Sequence, residues 1–296
     1  MKRREFVKYG GAAIAGVSLG ASGTFAGPPL EGKMKAGDVQ TYLRSLNGGW
    51  VNLEKTVDTF KAGDPETVLK GIAVGWMSYT WALRKALDLG LNMFVTHEPT
   101  YYDHWDNNPD MFEIDGVPAK KKFIEESGIV ILRCHDLWDQ YPKIGIPDSW
   151  GQQLGFSNPV GGEGWFRVYD VSGRSAGEVA RQVAGKVKVF GQEAVQLIGD
   201  EKQQVKRVAI GCGAITPYRR FLTELGVDLA ICTDDGFTYW RDGALAIDLG
   251  LSVILVNHPI AEEYGMELLA DRLAQQFPGT KVKHIPQRCM YRIIQA

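Results

Sequence analysis

Short apolar runs alternating with amphipathic helical patterns, glycines where those helices end, and a polar cluster directly after each run together predict an α/β protein with parallel or mixed sheets covered by helices. The 296 residues, 45% hydrophobic and 23% charged, can bury a large core as one big α/β domain or as two smaller ones. That composition excludes a disordered or fibrous chain. A formal net charge of −2 gives no electrostatic reason to expect a nucleic-acid or anionic-membrane partner. A small-molecule substrate is the expected partner.

Reading from the start, Arg3 and Arg4 precede Phe6, Lys8 and a weakly apolar Gly/Ala-rich run. That order resembles a twin-arginine export signal, with a cleavage site at Thr24-Phe25-Ala26 and hence a periplasmic or otherwise exported protein. The competing reading is a membrane anchor, but the Gly, Ala and Ser of residues 9–26 are too weakly apolar for a span of about 20 residues. Loss of residues 1–26 would remove a net +3 and leave a chain of −5. Cys134, Cys212, Cys232 and Cys289 have no CxxC spacing and are too few for a disulfide scaffold. An exported chain could pair two of them, although single buried thiols at strand ends suit Cys134 and Cys232.

Helices are expected over 80–89, 118–127, 175–184, 217–225, 240–249 and 261–275. Gly90, Gly128, Gly226 and Gly250 fit the left-handed residue that ends a helix and turns the chain into the next strand. The runs 93–96, 129–134, 229–233 and 252–256 read as strands buried on both faces. Residues 139–165 read as a Pro/Gly-rich loop with one short helix, and 165–200 as strand, helix, strand. The string DLGLNMFVTHEP at 88–99 nearly repeats as DLGLSVILVNHP at 248–259. Two related lobes, 36–160 and 161–296, would explain it, and so would convergence on a common helix-to-strand idiom.

Ligands of open α/β sheets bind at the carboxyl ends of strands. Here those ends carry HEP, HDLWD, DDG and NHP. Three of the five histidines, His97, His135 and His258, sit there beside carboxylates. If Pro259 begins a helix, His258 and Glu262, four apart, share one face. His97 and Glu98, adjacent in an extended segment, point to opposite sides and would serve two ions rather than one. Imidazole with carboxylate suits zinc, iron or manganese, and two such ions about 3.5–4 Å apart support hydrolysis. Any one of these histidines alone would read as a hydrogen-bonded loop residue, as His104 and His284 do. Tyr101, Tyr102, Trp105, Trp138, Tyr239 and Trp240 fit either core and interface packing or a pocket lining.

An ordered series of motifs resembles the Nif-three-like dinuclear metal centre family, the GTP cyclohydrolase type-two homologues. A strand ending in a His pair and Pro is matched by Thr96-His97-Glu98-Pro99, and His-Thr-x-Leu-Asp by His135-Asp136-Leu137-Trp138-Asp139. A glycine turn is matched by residues 208–213, and Gly-His-x-x-x-Glu-x-x-Gly-Met by residues 257–266. The resemblance implies two similar α/β lobes with mixed sheets facing a metal cleft. It implies metal ligation by His97, Glu98, Asp139, His258 and Glu262, a non-ligand His135 suited to catalytic proton transfer, two divalent ions as cofactors, and a homo-hexameric ring. Glu98 stands where the family has a second His, which adds negative charge and makes the site harder. Thr233-Asp234-Asp235 departs from the family's Thr-Gly-Glu/Asp, and Tyr239 and Trp240 stand near a missing His. GTP is scarce outside the cytoplasm, which argues against cyclohydrolase activity in an exported member. The expected function is a metal-dependent hydrolase of a small molecule; the alternatives are a non-catalytic metal-binding or metal-delivery ring, and a structural ring engaging a partner.

Overall fold

The structure is a computed structural model that describes residues 33–214, 220–221 and 224–294. The export signal expected at 1–26 lies outside those residues, as does part of the helix expected over 217–225. In chain order the elements are α1 (Ala36–Ser45), β1 (Phe60–Ala62), β2 (Ile72–Gly75), α2 (Thr80–Asp88), β3 (Met93–Thr96), α3 (Val117–Ser127), β4 (Val130–Arg133), α4 (Asp136–Gln140) and α5 (Ile146–Leu154). They continue with β5 (Phe166–Ser175), α6 (Ala176–Val187), β6 (Gln196–Ile198), β7 (Gln204–Gly211), β8 (Leu229–Thr233), α7 (Ala244–Leu249), β9 (Ser252–Val256), α8 (His258–Gln276) and β10 (Val282–His284).

Two five-stranded mixed sheets result, in the orders β1-β4-β3-β2-β10 and β5-β7-β8-β9-β6. In each, three neighbouring strands run parallel: β2, β3 and β4 in the first, β7, β8 and β9 in the second. Every residue of β3, β4, β8 and β9 is buried, as continuous apolar runs require. The C-terminal strand β10 returns to the first sheet and pairs in parallel with β2. Helices α5, α6 and α8 fill a shared layer, where Trp150, Val183 and Leu269 join one core with Val95 of the first sheet and Ile231 of the second. The opposite face of the first sheet packs Phe94 and Ile131 against Leu83 and Ile124. That of the second packs Ala230 and Val253 against Ala246.

Local chemistry accounts for the element ends. Ser175 accepts from the Glu178 amide while the Glu178 carboxylate takes the Ser175 amide, so α6 starts on a reciprocal cap. Gly128 and Gly250 end α3 and α7 at φ 65° and 67°, where a Cβ would crowd the carbonyl. The helix expected over 240–249 opens instead with a π turn, Tyr239–Gly243, before α7. There Asp242 accepts the Thr238 amide and pairs with Arg241. The helix expected from 261 starts three residues earlier, because Pro259 in the first turn has no amide to leave unpaired. Strands β1, β2, β7 and β10 are additional to those four runs and to the two strands expected within 165–200.

Candidate metal centre

Strand register delivers the site residues. Thr96 and Arg133 are paired at the ends of β3 and β4, so His97 and His135 emerge side by side, their rings stacked at 4.6 Å. Thr233 and Val256 are paired at the ends of β8 and β9, which puts Asp234 and Asp235 beside His258. Their carboxylates take the His258 amide and Nδ1, at 2.9 and 2.8 Å. The first turn of α8 then carries Glu262 onto the same face as His258, with Nε2 to Oε1 at 3.1 Å.

All six residues singled out from the sequence meet here: His97, Glu98, His135, Asp139, His258 and Glu262. His97 Nε2 lies 3.4 Å from Asp139 Oδ1 and 3.3 Å from Glu262 Oε2. His258 Nε2 lies 3.5 Å from Glu98 Oε1. Glu262 therefore divides its two oxygens between two imidazoles. Three overlapping triplets have donor atoms within 4.8 Å of one another: His97, Glu98 and His135; His97, Asp139 and Glu262; Glu98, His258 and Glu262. These acidic and histidine groups are positioned so that they can bind metal ions. His97 Nε2, His258 Nε2 and Asp139 Oδ1 are buried without a hydrogen-bond partner, a cost that structures avoid unless something else satisfies the atoms. Imidazole nitrogens and carboxylate oxygens converging this way fit a divalent cation.

Partners behind the site fix its orientation. His97 Nδ1 faces the Cys134 carbonyl at 3.1 Å, leaving Nε2 directed at the carboxylates. Trp76 Nε1 donates to Glu262 Oε2 at 2.7 Å, and Trp165 Nε1 to Asp139 Oδ2 at 3.3 Å. Arg133 is fully buried; it donates to the His97 and His104 carbonyls and, at 3.3 Å, to Glu98 Oε2. That guanidinium offsets the negative charge Glu98 brings.

The electrostatics follow from imidazoles and carboxylates buried side by side. Burial, the largest effect on His97, would lower its pKa, but Glu262, Asp139 and Glu98 together outweigh it and raise the value to about 9. His258 is likewise raised, burial being opposed by Glu262, Asp235 and Glu98. Burial would raise Glu262, yet His258 and His97 pull it down to about 2. The carboxylates thus favour the protonated imidazoles, and the imidazoles favour the ionised Glu262.

A cavity of about 710 Å³ opens onto the cluster, lined in part by Trp76, Tyr102, His104, His135, Trp165 and Met290. Of the aromatics noted in the sequence, Tyr102 lines it, Tyr101 and Trp138 are core, and Trp105, Tyr239 and Trp240 are exposed. His104, read above as an ordinary loop histidine, faces this cavity with its ring edge-on to His135 at 5.7 Å. His284 instead pairs with Glu263 at 2.9 Å, away from the cluster. Trp76, Trp165, Arg133 and Asp58, whose carboxylate accepts the His135 amide, carried no sequence signal, because they act through side-chain contacts across 26 to 186 positions of chain, as Trp165 to Asp139 and Trp76 to Glu262 illustrate. The four cysteines are free, and Cys134, Cys212 and Cys232 are buried.

Comparison with known proteins gives a consistent picture. A protein of Clostridium perfringens (strain 13 / Type A) named as a GTP cyclohydrolase 1 type 2 homolog is 23% identical over 186 residues, covering 60% of this chain and 67% of that protein. A Staphylococcus aureus hypothetical protein superposes with a TM-score of 0.72 at 17% identity, covering 89% of this chain and all of the other. A Bacillus cereus protein related to NIF3 gives 0.73 at 12% identity with the same coverage. At such identities these structures establish the fold alone. The family model for Duf34/NIF3 (NGG1p interacting factor 3) matches residues 55–289, and with the two mixed sheets and the residue order at their strand ends, the chain belongs to the Duf34/NIF3 family.

Proposed function

We propose that this protein is an exported, metal-dependent hydrolase of a small molecule, holding two divalent ions. The observation that carries the reading is the convergence of the triplets His97, Asp139, Glu262 and Glu98, His258, Glu262 on one shared carboxylate at the edge of a ligand-sized cavity. Each triplet would hold one ion, zinc, iron or manganese, with Glu262 common to both. When bound, such ions supply Lewis-acid polarisation of a substrate oxygen and a nucleophile at neutral pH. The chain's own residues do the rest. Trp76 and Trp165 hold the Glu262 and Asp139 carboxylates in place, and Tyr102 with Trp165 gives the cavity aromatic walls for an apolar substrate portion. His135, at the cavity wall and not in either of these triplets, is available to accept and return a proton.

The basic twin-arginine start supports export, and exposed Trp240 (79%), Ile247 and Leu249 support assembly into a ring. Among the described residues no helix is long and apolar enough to cross a membrane. The test is elemental analysis of protein recovered from its native host, followed by turnover assays on phosphoesters, amides and cyclic ureides. Two ions per chain with metal-dependent turnover is the expected result. Full metal loading with no turnover across that panel would instead favour a metal-binding or metal-delivery ring, and sedimentation at the mass of one chain would remove the hexamer.

A further inference from the structure

His135 is held differently from the other two site histidines. His97 and His258 direct Nε2 at the carboxylate cluster, whereas His135 gives Nδ1 to Asp136 Oδ1 at 2.9 Å. Asp139 Oδ2 is too far to compete, at 3.6 Å from the same nitrogen, and it already receives Trp165 Nε1. Asp136 is itself braced from another part of the chain: Thr56 Oγ1 donates to Oδ2 at 2.7 Å and the Val57 amide at 3.3 Å. Asp58 closes the clamp. Its carboxylate takes the amides of His135, Asp136 and Leu137 at 2.6, 3.0 and 2.8 Å, and its own amide donates to Thr56 Oγ1 at 3.0 Å. Residues 56–58 thus fix the backbone and the carboxylate that face one edge of the ring.

We propose that Asp136, braced by Thr56, is a positioning residue that holds His135 in the Nδ1–H tautomer and presents its Nε2 lone pair to the cavity as a proton acceptor. An ionised carboxylate can only accept, so the proton between it and the ring belongs on Nδ1 and the lone pair on Nε2. Stacking on His97 at 4.6 Å and the edge-on His104 ring keep the imidazole from turning. Among the described residues Nε2 has no hydrogen-bond partner, while the residue lines the cavity. A proton leaving an attacking water would pass to Nε2, and the imidazolium would be stabilised by Asp136. Its transfer to the leaving oxygen or nitrogen would restore the neutral ring. The use of that lone pair rests on the hydrolase reading; the tautomer does not.

The test is ¹⁵N NMR of histidine-labelled full-length protein, before and after addition of zinc, at a pH alkaline enough for neutral rings. Five histidines make the spectrum small, and His135→Gln identifies the resonances by subtraction. The expected result is a protonated Nδ1 and a bare Nε2 at His135. Asp136→Asn, whose amide can donate to Nδ1, moves the proton to Nε2; Thr56→Val, should the first variant not fold, gives a mixture of both forms. A wild-type ring protonated on Nε2, or a His135 signal unmoved by either variant, overturns the proposal. With any substrate the enzyme turns over, Asp136→Asn lowers kcat about 100-fold or more while KM stays within about twofold; an unchanged kcat counts against it. Wild-type protein that turns over nothing defeats the hydrolase reading, and the tautomer is decided by the spectrum independently.

Discussion

Two buried cations hold the loop that forms one wall of the cavity. Arg133 fastens its backbone at His97 and His104, and Lys120, only 4% exposed, donates to the Thr100 carbonyl at 2.6 Å beneath the Tyr102 ring. Arg133→Met leaves two carbonyls and Glu98 without their donor, and a loss of about 3 kcal/mol in urea unfolding is expected; an unchanged midpoint would show the guanidinium to be dispensable. Burial lowers the Lys120 pKa from 10.5 to about 8, against a smaller opposing effect of Asp106. Between those values the unfolded chain binds a proton that the native chain does not, so this group makes stability rise with pH from about 8 to 10.5. Below that window its penalty is constant. Lys120→Met should flatten the rise, as thermal melts across the window would register. Within the cluster, His258→Ala should lower metal content while His284→Ala, whose partner is Glu263, leaves it intact. Equal metal in the two variants would remove His258 from the ligand set.

At the scale of elements, the repeated DLGL string produces the same construction twice: a short helix, a glycine at φ 76° or 67°, and a strand buried at every residue. Each copy ends at the cluster, one giving His97 and Glu98 and the other His258. The close approach of α8 to α5 matters as much. Gly265 sits against α5, where a Cβ would lie 2.6 Å from Ile146 Cδ1 and 2.8 Å from Ser149 Oγ, and its carbonyl accepts Trp138 Nε1 at 2.8 Å. Gly265→Ala should cost about 1–3 kcal/mol through overpacking and shift α8, with Glu262 on it. Gly185, in α6 with open space around its missing Cβ, makes the contrast: Gly185→Ala should gain about 0.5–1 kcal/mol. Paired denaturant titrations decide whether the close contact or helix propensity governs each position.

For the whole molecule, the cluster draws on both sheets, so a ligand gripping it ties them together. Binding to the native state alone stabilises by roughly 2.7 kcal/mol at a hundredfold excess over Kd. Chelation should therefore lower Tm for the entire chain in one transition, and restoring zinc or manganese should return it. A melt indifferent to chelator would mean that the neighbouring carboxylates satisfy His97 Nε2 and His258 Nε2 without an ion. Glu98 bears on the same point: Arg133 beneath it, with Nη2 at 3.3 Å, keeps that carboxylate beside His258.

The sequence by itself determined the parts whose cause is local. Apolar runs of four or five residues after a helix-ending glycine form buried strands wherever they occur, and polar clusters after them fall at strand ends; hence β3, β4, β8 and β9 could be read from local pattern, as could the place of the polar residues after them, whereas the ligand set with Asp139 and the part given to His135 rested on the family resemblance. The family likeness, too, lay in the order of those motifs. Only the tertiary structure decided which strands neighbour each other, that β10 crosses back to the first sheet, and that Trp76, Thr56, Asp58, Arg133 and His104 stand around the cluster. Those residues are joined to it by hydrogen bonds and packing between segments far apart in the chain, and no periodicity or local pattern records such a contact.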